Sequence, residues 1–65
     1  MYNISTFANL VGKSVLTIQR WDREGVLPAK RDIRNRRYYT FDDIVYVLGD
    51  EQVARDIVTR YERDK

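Results

Sequence analysis

Cysteine and histidine are both missing from these 65 residues, proline and tryptophan occur once each, and there are three glycines. Without cysteine or histidine there are no disulfides and no Cys/His metal sites, a composition that fits a reducing compartment. The same gap removes the commonest general base and the strongest nucleophile, so catalysis is poorly served. No apolar run approaches the roughly 20 residues of a membrane span, and no signal-type apolar stretch follows Met1. The length allows one small domain, residues 1–65, which buries only about 60% of the surface its unfolded form exposes. The expectation is a cytoplasmic domain held by a compact apolar core, with no cofactor, no metal and no small-molecule ligand, and not an enzyme within this chain.

Two fragments suggest chemistry and are better explained otherwise. Gly12-Lys13-Ser14 resembles the end of a phosphate-binding P-loop, but that motif needs a glycine where Phe7 stands. Asp42 and Asp43 sit where a helix is expected to begin, and acidic residues there complement the helix dipole. Ser5 and Ser14 have no base nearby in sequence and read as helix caps.

Charge becomes informative once it is mapped along the chain. The net charge is only +2, yet residues 1–12 carry no charged side chain at all. Residues 13–37 carry eight cations against three acids, and residues 38–65 carry four cations against seven acids. A cationic block flanked by a neutral and an acidic segment points to a polyanionic partner if its members cluster on particular elements.

Ile4, Phe7, Ala8 and Val11 share one helical face, with Ser5 or Thr6 as candidate caps and Gly12 as the stop. After Ser14, a second candidate cap, Val15, Ile18 and Trp21 fall on one face of a helix that Gly25 ends and Pro28 keeps from resuming. Trp21 is therefore expected in the core. Two helices over residues 4–25, joined by a short glycine-containing turn, form a helix-turn-helix. Residues 26–39 predict a small β-hairpin wing with arms near Leu27–Arg31 and Arg36–Tyr39 and a turn around Asn35, bracketed by apolar Leu27 and Ile33 and by the two tyrosines. Tyr39 is expected to pack on the core and Tyr38 to point away from it. Two helices follow in residues 40–63. Thr40 and Asp43 open the first in a capping-box pattern, Ile44, Val47 and Leu48 form its stripe, and Gly49 ends it. Asp50 caps the second, whose apolar face is Val53, Ala54, Ile57, Val58 and Tyr61. The predicted fold is mainly α, a winged helix-turn-helix with two N-terminal helices, a hairpin wing and two C-terminal helices.

These residues resemble a known family. Tyr2, Ile4, Phe7, Ala8, Val11, Gly12, Ser14, Thr17, Ile18, Arg20, Trp21, Glu24, Gly25, Leu27 and Pro28 stand at the spacing that opens MerR-type winged helix-turn-helix domains. Arg36-Arg37-Tyr38-Tyr39-Thr40, then Asp42-Asp43-Ile44, resembles their wing closure and third helix. The likeness covers about residues 2–48. Sensor-type members usually place an arginine before two aromatics in the second helix, whereas this chain has Gln19-Arg20-Trp21. That variant, with Asn35-Arg36-Arg37-Tyr38-Tyr39-Thr40, is most similar to the N-terminal domain of serine-recombinase transposases, and is also similar to excisionases and BldC-like small regulators. Counted back from Thr40, the family's arginine pair falls on Arg37 and Tyr38, so the main wing contact is open between Arg36 and Arg37.

The expected partner is double-stranded DNA. A recognition helix in the major groove would present Thr17, Gln19 and Arg20, with Val15 and Leu16 near its start and Arg23 further along. Lys13 and the Ser14-capped helix start would hold a phosphate. Arg31, Arg34, Asn35, Arg36, Arg37 and Tyr38 on the wing would grip flanking phosphates or enter the minor groove. The resemblance leaves open a transposase domain, a stand-alone regulator or an excisionase. A competing class is a protein-interaction module dimerising through the C-terminal helix. Self-association is otherwise expected on DNA or through a C-terminal domain beyond this chain. Location at the nucleoid would follow from DNA binding.

Overall fold

The computed structural model describes residues 1–64 and contains four helices and one two-stranded antiparallel hairpin. Helix α1 spans Ile4–Val11 and α2 spans Val15–Glu24. Strands β1 (Lys30–Arg31) and β2 (Arg37–Tyr38) form the wing, and α3 (Phe41–Leu48) and α4 (Glu51–Arg63) complete the chain. This is the predicted winged helix-turn-helix plan.

Each helix begins at a side-chain cap whose oxygen accepts an otherwise orphaned backbone N–H. Ser14, Thr40 and Asp50 serve α2, α3 and α4 as expected. The cap of α1 is Asn3, whose Oδ1 accepts the Thr6 N–H at 2.8 Å, and not Ser5 or Thr6, which lie inside the first turn. The turn between α1 and α2 passes through Gly12 at φ +70°. A Cβ there would meet nothing within 4 Å, so the left-handed backbone alone calls for glycine.

The core forms where α1 meets the other three helices: it packs against α2, α3 and α4, and α3 packs against α4. Phe7, Ile18, Tyr39 and Ile44 are its largest fully buried side chains. The rings of Phe7 and Tyr39 stack with centroids 4.3 Å apart at an interplanar angle of 8°. Full burial of one such side chain stabilises by about 1.5–3 kcal/mol. Trp21 is only half-buried at the edge of this cluster, so Tyr39 takes the central aromatic place expected of Trp21. Leu10 is buried although it lies off the expected stripe of α1, because α4 packs on that side as well. Val53, assigned to the apolar face of α4, is 44% exposed, and Ala54 takes the buried position.

The wing is shorter than its expected arms. Leu27 is buried ahead of the ribbon rather than inside it, and Arg36 belongs to the turn. The strands pair Lys30 with Tyr38 and Arg31 with Arg37. Beyond them Tyr2 forms an antiparallel bridge to Tyr39, with N–H···O distances of 2.9 and 2.8 Å. The chain's second residue is thus fastened to the wing's base.

Candidate nucleic-acid interface

Helix α2 has one face turned inward and one turned out. Ile18 is fully buried, while Val15 and Trp21 pack partly against the core. On the opposite side Leu16, Arg20 and Arg23 stand four and three residues apart, which places them in a single exposed stripe. Leu16 is 76% exposed. Neither arginine has an ion-pair or hydrogen-bond partner among the described residues. Gln19 and Thr17 flank the stripe, half-buried. Ser14 is exposed at the start of the helix, where its Oγ accepts the Thr17 N–H at 3.1 Å and lies 2.9 Å from the Thr17 hydroxyl. Lys13 precedes it, exposed and unpaired among the described residues. A helix start with free N–H groups, a hydroxyl and an unpaired lysine beside it suits a phosphate.

The wing's turn is organised by one carboxylate. Asp32 Oδ1 accepts the N–H groups of Arg34 and Arg36, both at 2.9 Å, and Oδ2 lies 3.4 Å from Arg36 Nε. The Asp32 backbone N–H donates to the Arg36 carbonyl at 3.0 Å, and the Asn35 N–H donates to the Asp32 carbonyl at 2.9 Å. Asn35 sits at φ +63°, which makes this a three-residue hairpin loop closed by a left-handed residue. The backbone bonds, from Arg36 first, hold the Asp32 carboxyl below the usual aspartate range.

Two further carboxylates fasten the wing to the helices. Asp22 of α2 accepts the Ala29 N–H at 2.9 Å through Oδ1, and its Oδ2 lies 3.4 Å from Arg37 Nε. Buried Asp43 of α3 receives both hydrogen bonds of the Lys30 ammonium at 3.0 Å and completes the capping box with Thr40. Cross-strand neighbours of one pair share a face of the ribbon and adjacent pairs alternate. Lys30 and Arg37 therefore leave from opposite faces, and each meets a carboxylate of a different helix. The sequence reading missed both clasps, since residues 13 and 15 apart follow no periodicity.

Besides Ser14, Thr17 and Gln19, the site residues expected from sequence separate into three groups. Arg20 and Arg23 on α2, Lys13 at its start, and Arg34 on the wing are exposed and unpaired among the described residues. Arg31, Arg36, Arg37 and Asn35 are exposed and engaged: Arg31 donates to the Asn35 carbonyl at 3.3 Å, Arg36 pairs with Asp32 and Arg37 with Asp22. Val15 and Tyr38 are half-buried, Val15 against the core. Ile33, expected to bracket the hairpin ahead of its turn, lies instead within the turn, wholly exposed at the tip.

Behind the interface lies one unsatisfied group. The Tyr39 hydroxyl is buried and has no hydrogen-bond partner among the described residues. Burial raises its pKa, the charge of Asp22 adds to that, and Arg37 opposes it. Among the described residues no cluster of acidic side chains is arranged to hold a metal ion, and no helix is long and apolar enough to cross a membrane.

The sequence model for MerR HTH family regulatory proteins matches residues 2–48, from the Tyr2 bridge to the last residue of α3. No match was found among curated proteins or among solved structures.

Proposed function

We infer the function from kinship and geometry together: the chain belongs to the MerR HTH family of regulatory proteins, and so binds double-stranded DNA in a regulatory role. The finer reading is sequence-specific binding. Helix α2 enters the major groove with Leu16, Arg20 and Arg23 toward the base edges, Arg20 suited to guanine and Leu16 to a thymine methyl. Ser14 and Lys13 take a phosphate at the helix start, and the wing lies on flanking phosphates or in the minor groove. The observation that carries this reading is the unpaired Leu16–Arg20–Arg23 stripe on a helix whose other face is core, joined through Asp22 to a cationic wing. Within the chain these groups bind and do no chemistry.

The biological setting proposed is the DNA-binding domain of a serine-recombinase transposase, supported by Gln19-Arg20-Trp21 and the Asn35–Thr40 run. Selection of duplexes from a random pool tests sequence-specific binding and its stoichiometry. Specific binding returns a defined site whose affinity falls steeply with salt, by about 0.9 log units per log unit of salt for each phosphate contact. A chain that binds singly selects one asymmetric site, whereas one that binds as a dimer selects two inverted half-sites about one helical turn apart, so the site's symmetry reports stoichiometry as well as specificity. Failure to enrich any duplex, with binding insensitive to salt, would overturn DNA binding by this surface.

A further inference from the structure

Ile33 is 100% exposed, at the tip of the wing. The fold gives no reason for an isoleucine there, because the first corner of such a turn accepts most residues and favours proline. Nor is the tip loose: Asp32 accepts two backbone N–H groups, and the Asp32–Arg36 and Asp32–Asn35 backbone bonds close the loop around it. A β-branched side chain on a fixed corner is stiff at its first torsion, so its loss of freedom on insertion is small. Its neighbours are cationic: residues 30–37 hold five lysines and arginines against Asp32 alone. A second copy meeting this tip would bring two such cationic ribbons together, whereas a polyanion complements it.

We propose that Ile33 is a wedge: with the unpaired Arg34 beside it on a phosphate, it enters the minor groove between two base pairs, unstacks them and bends the duplex. This rests on the wing lying on DNA, and adds deformation to that reading. Apolar side chains inserted at a base step kink DNA, and the pyrimidine–purine steps TA and CA/TG unstack most easily. The wing therefore selects a flexible step that no side chain reads through hydrogen bonds.

The test uses the full chain and a duplex selected by it from a random pool, with fluorophores at both ends to report bending by energy transfer. The wild-type protein bends the duplex by at least about 20°, and Ile33→Ala removes most of that bend. Replacing the pyrimidine–purine step by a stiff A-tract step weakens wild-type binding about 5- to 100-fold, and weakens Ile33→Ala much less. Ile33→Leu keeps both effects, since another apolar wedge replaces the first. The salt slope and the thermal midpoint stay at wild-type values in both variants. Wild-type binding without a bend, or an unchanged bend in Ile33→Ala, overturns the wedge and leaves DNA binding standing. Absence of any duplex binding overturns both. Loss of self-association, or of binding to anionic phospholipid vesicles, in Ile33→Ala with an unchanged bend assigns the tip to those partners instead.

Discussion

Phe7, Ile18, Tyr39 and Ile44 are wholly buried in the helical body, whereas strands β1 and β2 bury no side chain at all. One part of this small domain is held by apolar contact and the other by charge. The wing has too few residues for a core of its own, and a lone two-stranded hairpin is marginal in water. It is stabilised by three aspartates at three heights: Asp32 at the turn, Asp22 against one face of the ribbon and Asp43 against the other. The difference teaches that carboxylates can hold a cationic ribbon in place where apolar packing is scarce. Acid side chains take up some of its cations for shape and leave others, Arg34 among them, unpaired among the described residues.

The largest effect should come from breaking the body. Tyr39→Ala removes a stacked, fully buried ring and is expected to cost about 3–5 kcal/mol, enough to unfold much of a domain this small. Tyr39→Phe deletes only the unpartnered hydroxyl and should be as stable as the wild type or more so, within about 1 kcal/mol. Urea melts of the two variants measure both, and a clear loss in Tyr39→Phe would mean that the hydroxyl is bonded.

Next in size is the clasp between wing and α3. Asp43→Ala loses a helix cap and the Lys30 bonds together, about 1–3 kcal/mol. Lys30→Met, which leaves the capping box in place, should cost distinctly less. If the two variants melt together, the clasp and not the cap supplies the stability.

The two kinds of wing arginine should then separate. Arg34→Ala is expected to leave the thermal midpoint unchanged and to flatten the salt dependence of DNA binding by about 0.9, the share of one phosphate contact. Arg37→Ala gives up the Asp22 pair and should lower stability by about 0.2–1 kcal/mol, a half-exposed pair being worth no more. Equal salt slopes and equal midpoints in both variants would erase the division between bracing and gripping.

The smallest effect is that of acid on the turn. The Asp32 carboxyl is held below its ordinary pKa in the folded wing, so its contribution is complete above about pH 3.9, the unfolded value. It is lost as pH falls through the lower, folded value. Amide exchange at Arg34 and Arg36 should therefore quicken at strongly acidic pH before the body unfolds. Simultaneous loss of both regions would show the wing and body to be one cooperative unit.

Much of the body was legible because its signals are local. A cap, a stripe at helical spacing and a terminal glycine lie within one or two turns of each other, which is how α2, α3 and α4 and the inward face of α2 could be read from residues alone. Asn3 was missed as a cap because Ser5 and Thr6 offer equivalent oxygens two and three residues later. Trp21 shares the inward face of α2 with Val15 and Ile18, but it stands at the rim of the core, and that position, which the spacing does not show, leaves it half-buried. The wing's clasps were illegible for a different reason. Lys30–Asp43 and Arg37–Asp22 join residues whose separation carries no period, and only the folded chain brings them together. Ile33 illustrates the same limit: an apolar residue in a turn reads as a packing anchor until the tertiary fold leaves it nothing to pack on.

The bridge between Tyr2 and Tyr39 also bears on how the chain reaches this state. Helices and a short hairpin close small loops and form within microseconds, but this bridge ties together a loop that encloses α1, α2 and the wing. Ring closure on that scale carries most of the topological entropy, and it is recovered only when the Phe7–Tyr39 stack beside it is made. The kinetic nucleus should accordingly lie in the two local helix pairs, with the bridge forming after the barrier. Weakening the Tyr2 end would then quicken unfolding while leaving the folding rate nearly untouched.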